Sequence, residues 1–229
     1  VISSMEDNIC NDFLASVKKK YELLPAFSMK RKIELYIDDS SKVLKSMEKK
    51  SIGFIWTSPP YGENSTTVTY GQFSMLPIYW INRQDLDKFD DYLIQNYSSI
   101  DTSSLGGRKK NNVEGVETKI LAEYLKTVGE KKRHKIISFV LDYFEVLENF
   151  DYVLKENGIV MMTIGNRRVD NQVLPLTELT KEFFSNLGYT IEAKLTRNIP
   201  SKRMPRRVSR VDQVSVESMN IEYVLIFQK

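Results

Sequence analysis

The chain has 229 residues, of which 41% are hydrophobic and 28% charged, a composition that supports one sizeable globular domain and speaks against intrinsic disorder. Its 33 basic and 30 acidic side chains leave a formal charge of +3, too little by itself to specify a nucleic-acid partner. A single cysteine, Cys10, and a single histidine, His134, offer neither an internal disulfide nor a zinc cluster, so no metal is expected. No apolar run approaches the ~20 residues of a membrane span, and a start too polar for a signal peptide predicts a cytoplasmic protein.

The first segment, residues 1–32, spaces Phe13, Leu14, Val17, Tyr21 and Leu24 as a helix would. A short strand is expected at Ile33 to Ile37, closed by Asp38-Asp39-Ser40-Ser41, whose side chains suit the cap of a helix starting near Lys42. The run Ile52-Gly53-Phe54-Ile55-Trp56 is apolar on both faces, the pattern of a buried parallel strand. From about 62 to 132 the sequence turns polar and Tyr-rich, with the adjacent glycines Gly106 and Gly107, and reads as an insertion. Ile136, Val140, Phe144, Leu147, Phe150 and Leu154 then mark an amphipathic helix. The turn Glu156-Asn157-Gly158 leads to a second buried strand, Ile159 to Ile164. A further helix over Leu176 to Leu187 ends at Gly188, placed to terminate it. Strands near Tyr189 to Leu195 and Ile221 to Phe227 close the chain. The order predicts an α/β layered fold over 33–229, with ligands bound beyond the carboxyl ends of the parallel strands, where Asp38, Ser58 and Asn166 fall.

Charge distribution says more than net charge. Between Glu192 and Asp212 lie Lys194, Arg197, Lys202, Arg203, Arg206, Arg207 and Arg210 with no acidic residue among them. This basic loop, 194–210, suits phosphates, with double-stranded DNA as the expected partner; a solvated hairpin loop is the alternative. Asn166 and Arg167 follow the second buried strand and are placed either to meet DNA or to serve as an ordinary polar loop.

The chemistry centres on Thr57-Ser58-Pro59-Pro60-Tyr61. Two successive prolines fix φ at about −65° and remove two backbone donors, so the strand stops and its last carbonyls stay free. An exocyclic amine on a base is a poor nucleophile because its lone pair is delocalised into the ring. The Ser58 hydroxyl oxygen and the Pro59 carbonyl are placed to accept its two protons, a preorganised electrostatic effect. The Tyr61 ring is expected to stack on a base flipped out of the duplex. A proline-rich turn or adaptor ligand is the alternative, disfavoured by the position directly after an apolar strand.

The segment resembles the S-adenosylmethionine-dependent DNA amino-methyltransferases, whose catalytic motif reads Thr-Ser-Pro-Pro-Tyr. The resemblance extends from about Ile33 to the C-terminus and includes Thr66 to Gln72, the turn Leu154-Lys155-Glu156-Asn157-Gly158, the stretch Arg197 to Pro205, and Glu222-Tyr223-Val224-Leu225. It implies a Rossmann-like class I sheet. It also implies S-adenosylmethionine as cofactor, Ser58, Pro59, Pro60 and Tyr61 as catalytic residues, and Asp38, Asp39 and Thr57 as cofactor contacts. DNA contacts are expected from Asn166, Arg167, Arg197, Lys202, Arg203, Arg206 and Arg207. The motif Thr-Ser-Pro-Pro-Tyr favours cytosine N4 over adenine N6 as the target.

The family's Gly-rich cofactor loop and the acidic residue after its second strand have no counterpart here. Its strand order, 3-2-1-4-5-7-6, would lose strands one and two and leave Ile52 to Trp56 as an exposed apolar edge. The expectation is therefore a catalytic half completed by a second chain bearing the glycine loop. The alternatives are a non-catalytic DNA-binding subunit of a restriction-modification system, and a methyltransferase acting on RNA or a protein amide.

Overall fold

A computed structural model of the chain describes residues 32–36, 38–62, 70–82, 98–107, 118–169, 172–199, 207–211, 214–217 and 219–229, together with isolated residues before 23 and Asn96. The chain divides into two compact units, Val1–Ile37 and Asp38–Lys229. In the first, the described residues between 11 and 22 are helical. Residues 32–36 form no strand, in contrast to the sequence expectation; a strand exists only when a neighbour takes up its backbone hydrogen bonds.

The second unit opens with α1 (Ser40–Ser46), whose N-cap Asp39 accepts a hydrogen bond from the Ser41 amide at 2.8 Å, as its side chain is suited to do. Strand β1 (Ile52–Thr57) follows. Helices α2 (Tyr70–Trp80), α3 (Ser98–Thr102), α4 (Lys119–Thr127) and α5 (Glu130–Val153) lead to β2 (Leu154–Gly165). A small ribbon of β3 (Arg168–Val169) and β4 (Gln172–Val173) precedes α6 (Leu176–Asn186) and β5 (Thr190–Asn198). A second hairpin, β6 (Arg207–Val211) with β7 (Val214–Glu217), precedes β8 (Ile221–Gln228).

The main sheet has the order β1-β2-β8-β5. β1 runs parallel to β2, while β8 is antiparallel to both β2 and β5. This mixed α/β sheet is the one expected, and its order matches the 4-5-7-6 half of the strand order that the resemblance implied. Among the described residues β1 is an edge strand.

One face of the sheet is covered. Val160, Met162 and Ile164 of β2 and Leu225 and Phe227 of β8 are fully buried against a helical layer that includes Phe139, Tyr143 and Leu147 of α5 and Leu176, Leu179 and Phe184 of α6. Ring contacts run continuously through this layer, from the stacked pair Phe139 and Tyr143 through the tilted or edge-on rings of Phe144, Phe183 and Phe184 to Phe227. Thr180 donates to the Leu176 carbonyl at 2.7 Å, so the buried Tyr143 hydroxyl, 2.7 Å from Thr180 Oγ1, must be the donor in that pair. Helix α4, within the range that read as an insertion, contributes Leu121 and Tyr124 to the same core.

Among the described residues no layer covers the opposite face. Register places Phe54 beside Ile159, Trp56 beside Met161, Met161 beside Ile226, and Leu195 beside Val224. Alternation therefore puts an apolar row on one side of all four strands. On it Phe54, Trp56 and Leu195 are 51%, 71% and 57% exposed.

Two glycines that looked unassigned in sequence have structural duties. Gly106 has φ +72°, in the left-handed region, and a Cβ there would lie 2.8 Å from Phe139 Cβ. Its amide donates to Asp142 Oδ2 at 2.8 Å, and Gly107 turns so tightly that a Cβ would lie 2.5 Å from the Asp101 carbonyl oxygen. The nearly buried Asp101 in turn accepts from the Gly71 amide at 3.2 Å, in the first turn of α2. These bonds tie the start of α2 to α3, and Gly106 to α5.

Candidate functional site

Ser58-Pro59-Pro60-Tyr61 leaves the carboxyl end of β1. β1 ends beside Met162 of β2, so Gly165, the last residue of β2, lies at the same end of the sheet. The antiparallel register then sets Gly165 beside Glu222 at the start of β8, and Glu222 beside Arg197 near the end of β5. Four strand ends thus meet at one place. Continuing the alternation of β1, Ser58 falls on the same open face as Phe54, Trp56, Glu222 and Arg197.

The side chains form a connected set. The Tyr61 hydroxyl donates to Glu222 Oε1 at 3.1 Å, and Ser58 Oγ lies 3.4 Å from the same hydroxyl. The other carboxylate oxygen of Glu222 accepts from Arg197 Nη2 in a close ion pair. Glu222 is shielded, with 14% of its side chain exposed, whereas Arg197 is 69% exposed. Ser58 is exposed and Tyr61 half-buried. Burial above all raises the Tyr61 hydroxyl above the ordinary tyrosine range; the Ser58 contact opposes this and the Glu222 charge adds to it. Tyr61 therefore keeps its proton and remains a donor at neutral pH. Its ring packs over Gly165, where a Cβ would stand 2.7 Å from Tyr61 Cδ2 and 2.3 Å from Met219 Sδ.

Thr57 is the last residue of β1 and half-buried. Asp38 pairs with Lys42 at 3.7 Å and accepts from the Asp39 amide at 2.8 Å, while Asp39 caps α1; both acids are exposed. Asn166 follows β2 as expected, but its amide clasps the first turn of α6: Nδ2 donates to Thr177 Oγ1 at 2.9 Å and Oδ1 accepts from the Thr177 amide at 3.0 Å. The Arg167 carbonyl accepts from the Leu174 amide at 2.6 Å, closing the β3–β4 ribbon. Arg207 opens β6, and Lys202, Arg203 and Arg206 lie outside the described residues. A shallow pocket next to the motif is lined by Gly62, Lys132, Ile136, Phe139, Val169 and Leu174, among others. His134 is exposed on α5.

Sequence reading missed the role of Glu222 and Gly165. Glu222 appeared only within the stretch Glu222-Tyr223-Val224-Leu225, as the second residue of an expected apolar strand; an acid so near the start of such a strand was the available signal. Among the described residues no group of three or more His, Cys, Asp or Glu is placed to hold a metal ion, and no helix is long and apolar enough to cross a membrane.

No protein-family model matches the chain. The chain is 26% identical over 194 residues to the type II methyltransferase M.MvaI of Kocuria varians, an alignment that takes in 81% of this chain and 41% of that enzyme. The chain thus spans less than half the length of this relative. Among solved structures, a candidate DNA modification methylase from Thermus thermophilus, complexed with S-adenosyl-L-methionine, overlays with a TM-score of 0.40 at 14% identity, covering 84% of this chain and 54% of that one. The PvuII DNA methyltransferase, specific for cytosine N4, overlays with a TM-score of 0.41 at 16% identity, covering 84% of this chain and 48% of that one.

Proposed function

We propose that this chain is the base-activating part of an S-adenosylmethionine-dependent DNA methyltransferase that transfers methyl to an exocyclic amino nitrogen, with cytosine N4 as the favoured target. The observation that carries the reading is the placement of Ser58-Pro59-Pro60-Tyr61 on the carboxyl end of a parallel strand, with Tyr61 bonded to Glu222. The similarity to a type II methyltransferase over 81% of the chain supports it.

In this reading the Ser58 oxygen and the Pro59 carbonyl accept the two amine protons, which favours a pyramidal nitrogen with an available lone pair. The nitrogen held in this way would take up the methyl group and release one proton to solvent. No covalent enzyme intermediate is required. The flipped base lies against the accessible part of the Tyr61 ring. Arg197, with the basic segment from Lys202 to Arg207, meets the DNA backbone. Thr57, Asp38 and Asp39 are the residues of this chain assigned to the cofactor. S-adenosylmethionine supplies the electrophilic methyl group when bound.

The open face of the sheet bears on completeness. Phe54, Trp56 and Leu195 are exposed on it, and the sequence has no Gly-rich loop following an apolar strand. We assign this face to a segment that carries the Gly-rich cofactor loop, either elsewhere on the same polypeptide or on a second chain; most of M.MvaI lies outside the matched region.

The test is transfer of labelled methyl from S-adenosylmethionine to duplex DNA, with the chain alone and with the chain co-expressed with its neighbouring coding sequence. Label on DNA from the co-expressed preparation, and none from the chain alone, is expected. Full transfer by the chain alone would sink the completion reading, and transfer by neither would sink the enzyme reading.

A further inference from the structure

We infer that Glu222 is a positioning residue for Ser58: by accepting the hydrogen bond of the Tyr61 hydroxyl it directs the Ser58 hydroxyl proton to the Tyr61 oxygen and leaves the Ser58 lone pairs free for the amine. The inference rests on the amine-activating role proposed for Ser58.

A serine hydroxyl both donates and accepts. An exposed one with no fixed partner can point its proton at the incoming amine, where it would bind the very lone pair that must attack carbon. A serine oxygen serves as a dedicated acceptor only when its own proton has another place to go. The Tyr61 oxygen provides one, 3.4 Å from Ser58 Oγ.

That oxygen accepts from Ser58 only if the tyrosine proton points elsewhere, and Glu222 determines this. A carboxylate is acceptor-only. Oε1 accepts from the Tyr61 hydroxyl at 3.1 Å and Oε2 accepts from Arg197 Nη2, so each oxygen has a partner. The chain of donors therefore runs one way, from Ser58 to Tyr61 to Glu222, with Arg197 holding the far end. Backbone register makes the arrangement rigid, since Gly165, Glu222 and Arg197 sit side by side on three hydrogen-bonded strands. The contact between Ser58 and Tyr61 is long for an O–H···O bond, as catalytic hydrogen bonds often are before substrate arrives.

Single-turnover methylation by the complete enzyme tests this with Glu222→Ala, Glu222→Gln, Tyr61→Phe and the Glu222→Ala/Tyr61→Phe double variant. Glu222→Ala and Tyr61→Phe are each expected to slow the chemical step about 10- to 100-fold, the scale of one lost hydrogen bond to a charged group. Affinities for DNA and S-adenosylmethionine should stay within about twofold, and the double variant should be no slower than the slower single one, as for residues acting in one chain. Glu222→Gln should recover most of the rate, because its amide oxygen still accepts the tyrosine proton. A merely structural Glu222 would give multiplying losses and no rescue by glutamine, and either result overturns the inference. Tyr61→Phe keeps the ring and removes one oxygen, so it carries the test if Glu222→Ala does not fold; an unchanged rate in Tyr61→Phe overturns the inference as well. If Ser58→Ala leaves the rate unchanged, the amine-activating reading itself fails; if only Ser58→Ala is slow, the role of Glu222 alone fails.

Discussion

Replacing Ser58 by alanine is expected to lower methyl transfer by about 10²- to 10³-fold while duplex binding persists, the scale on which one preorganised polar group acts in a transition state. The substitution deletes one of the two acceptors assigned to the amine and leaves the other, the Pro59 carbonyl, in place. Structural cost should be small. Ser58 is exposed, and its side-chain contact is the long one to Tyr61, so no buried group loses its hydrogen bond. Parallel measurement of single-turnover rate and DNA affinity separates the two effects. A rate within about threefold of the parent, with DNA affinity intact, would remove Ser58 from the chemistry.

The second large effect is expected from Gly165→Ala, a change of one methyl group. The added Cβ would stand 2.3 Å from Met219 Sδ and 2.7 Å from Tyr61 Cδ2. The thioether end of Met219 can swing aside. The Tyr61 ring has less freedom, since it packs against the core and its hydroxyl is bonded to Glu222. Tyr61 must therefore shift and take the end of the motif with it. A displacement of about 1 Å at a catalytic group costs on the order of 10²-fold in rate, and overpacking of this kind costs about 1–3 kcal/mol of stability. Gly53→Ala is the matched control, because no atom lies within 4 Å of its added Cβ. Urea unfolding and single-turnover rates on both variants make the comparison. Equal behaviour of the two would show that the close approach of Tyr61 to Gly165 does not matter.

Much of the frame was legible in sequence because it follows from periodicity and turn chemistry. The spacing of Ile136, Val140, Leu147 and Phe150 described the buried stripe of α5. Asn157 adopts φ +60° where a turn was expected, although it lies within the irregular first part of β2, and Gly188 adopts φ +85° two residues beyond the end of α6. Strand β1 was legible as apolar on both faces, but the two faces differ in the fold: Ile55 packs on the core while Phe54 and Trp56 remain exposed. One-dimensional pattern reports which residues seek burial and not whether a covering layer is at hand.

What sequence could not reveal depends on register. Tyr61 and Glu222 are 161 positions apart in sequence and meet only because β8 pairs with β2 so that Glu222 falls beside Gly165. A shift of one residue would have pointed Glu222 to the other face. Asn166 was legible as polar and next to the site, yet its clasp on Thr177 follows from where α6 begins relative to the end of β2. Helix α4 was obscured by its polar surroundings, although Leu121 and Tyr124 keep helical spacing. The motif itself was legible because two prolines after an apolar strand constrain the backbone whatever the remainder of the fold does.

The most direct measurement is the identity of the modified nucleoside. The chain would be expressed together with its neighbouring coding sequence in a host lacking DNA methylation, and the host DNA digested to nucleosides for mass spectrometry. The account predicts a methyl group on an exocyclic amine, N4-methylcytosine first, present with the parent sequence and lost with Ser58→Ala. Methylation at a ring carbon, or an amino-methylated base that survives Ser58→Ala undiminished, would contradict it.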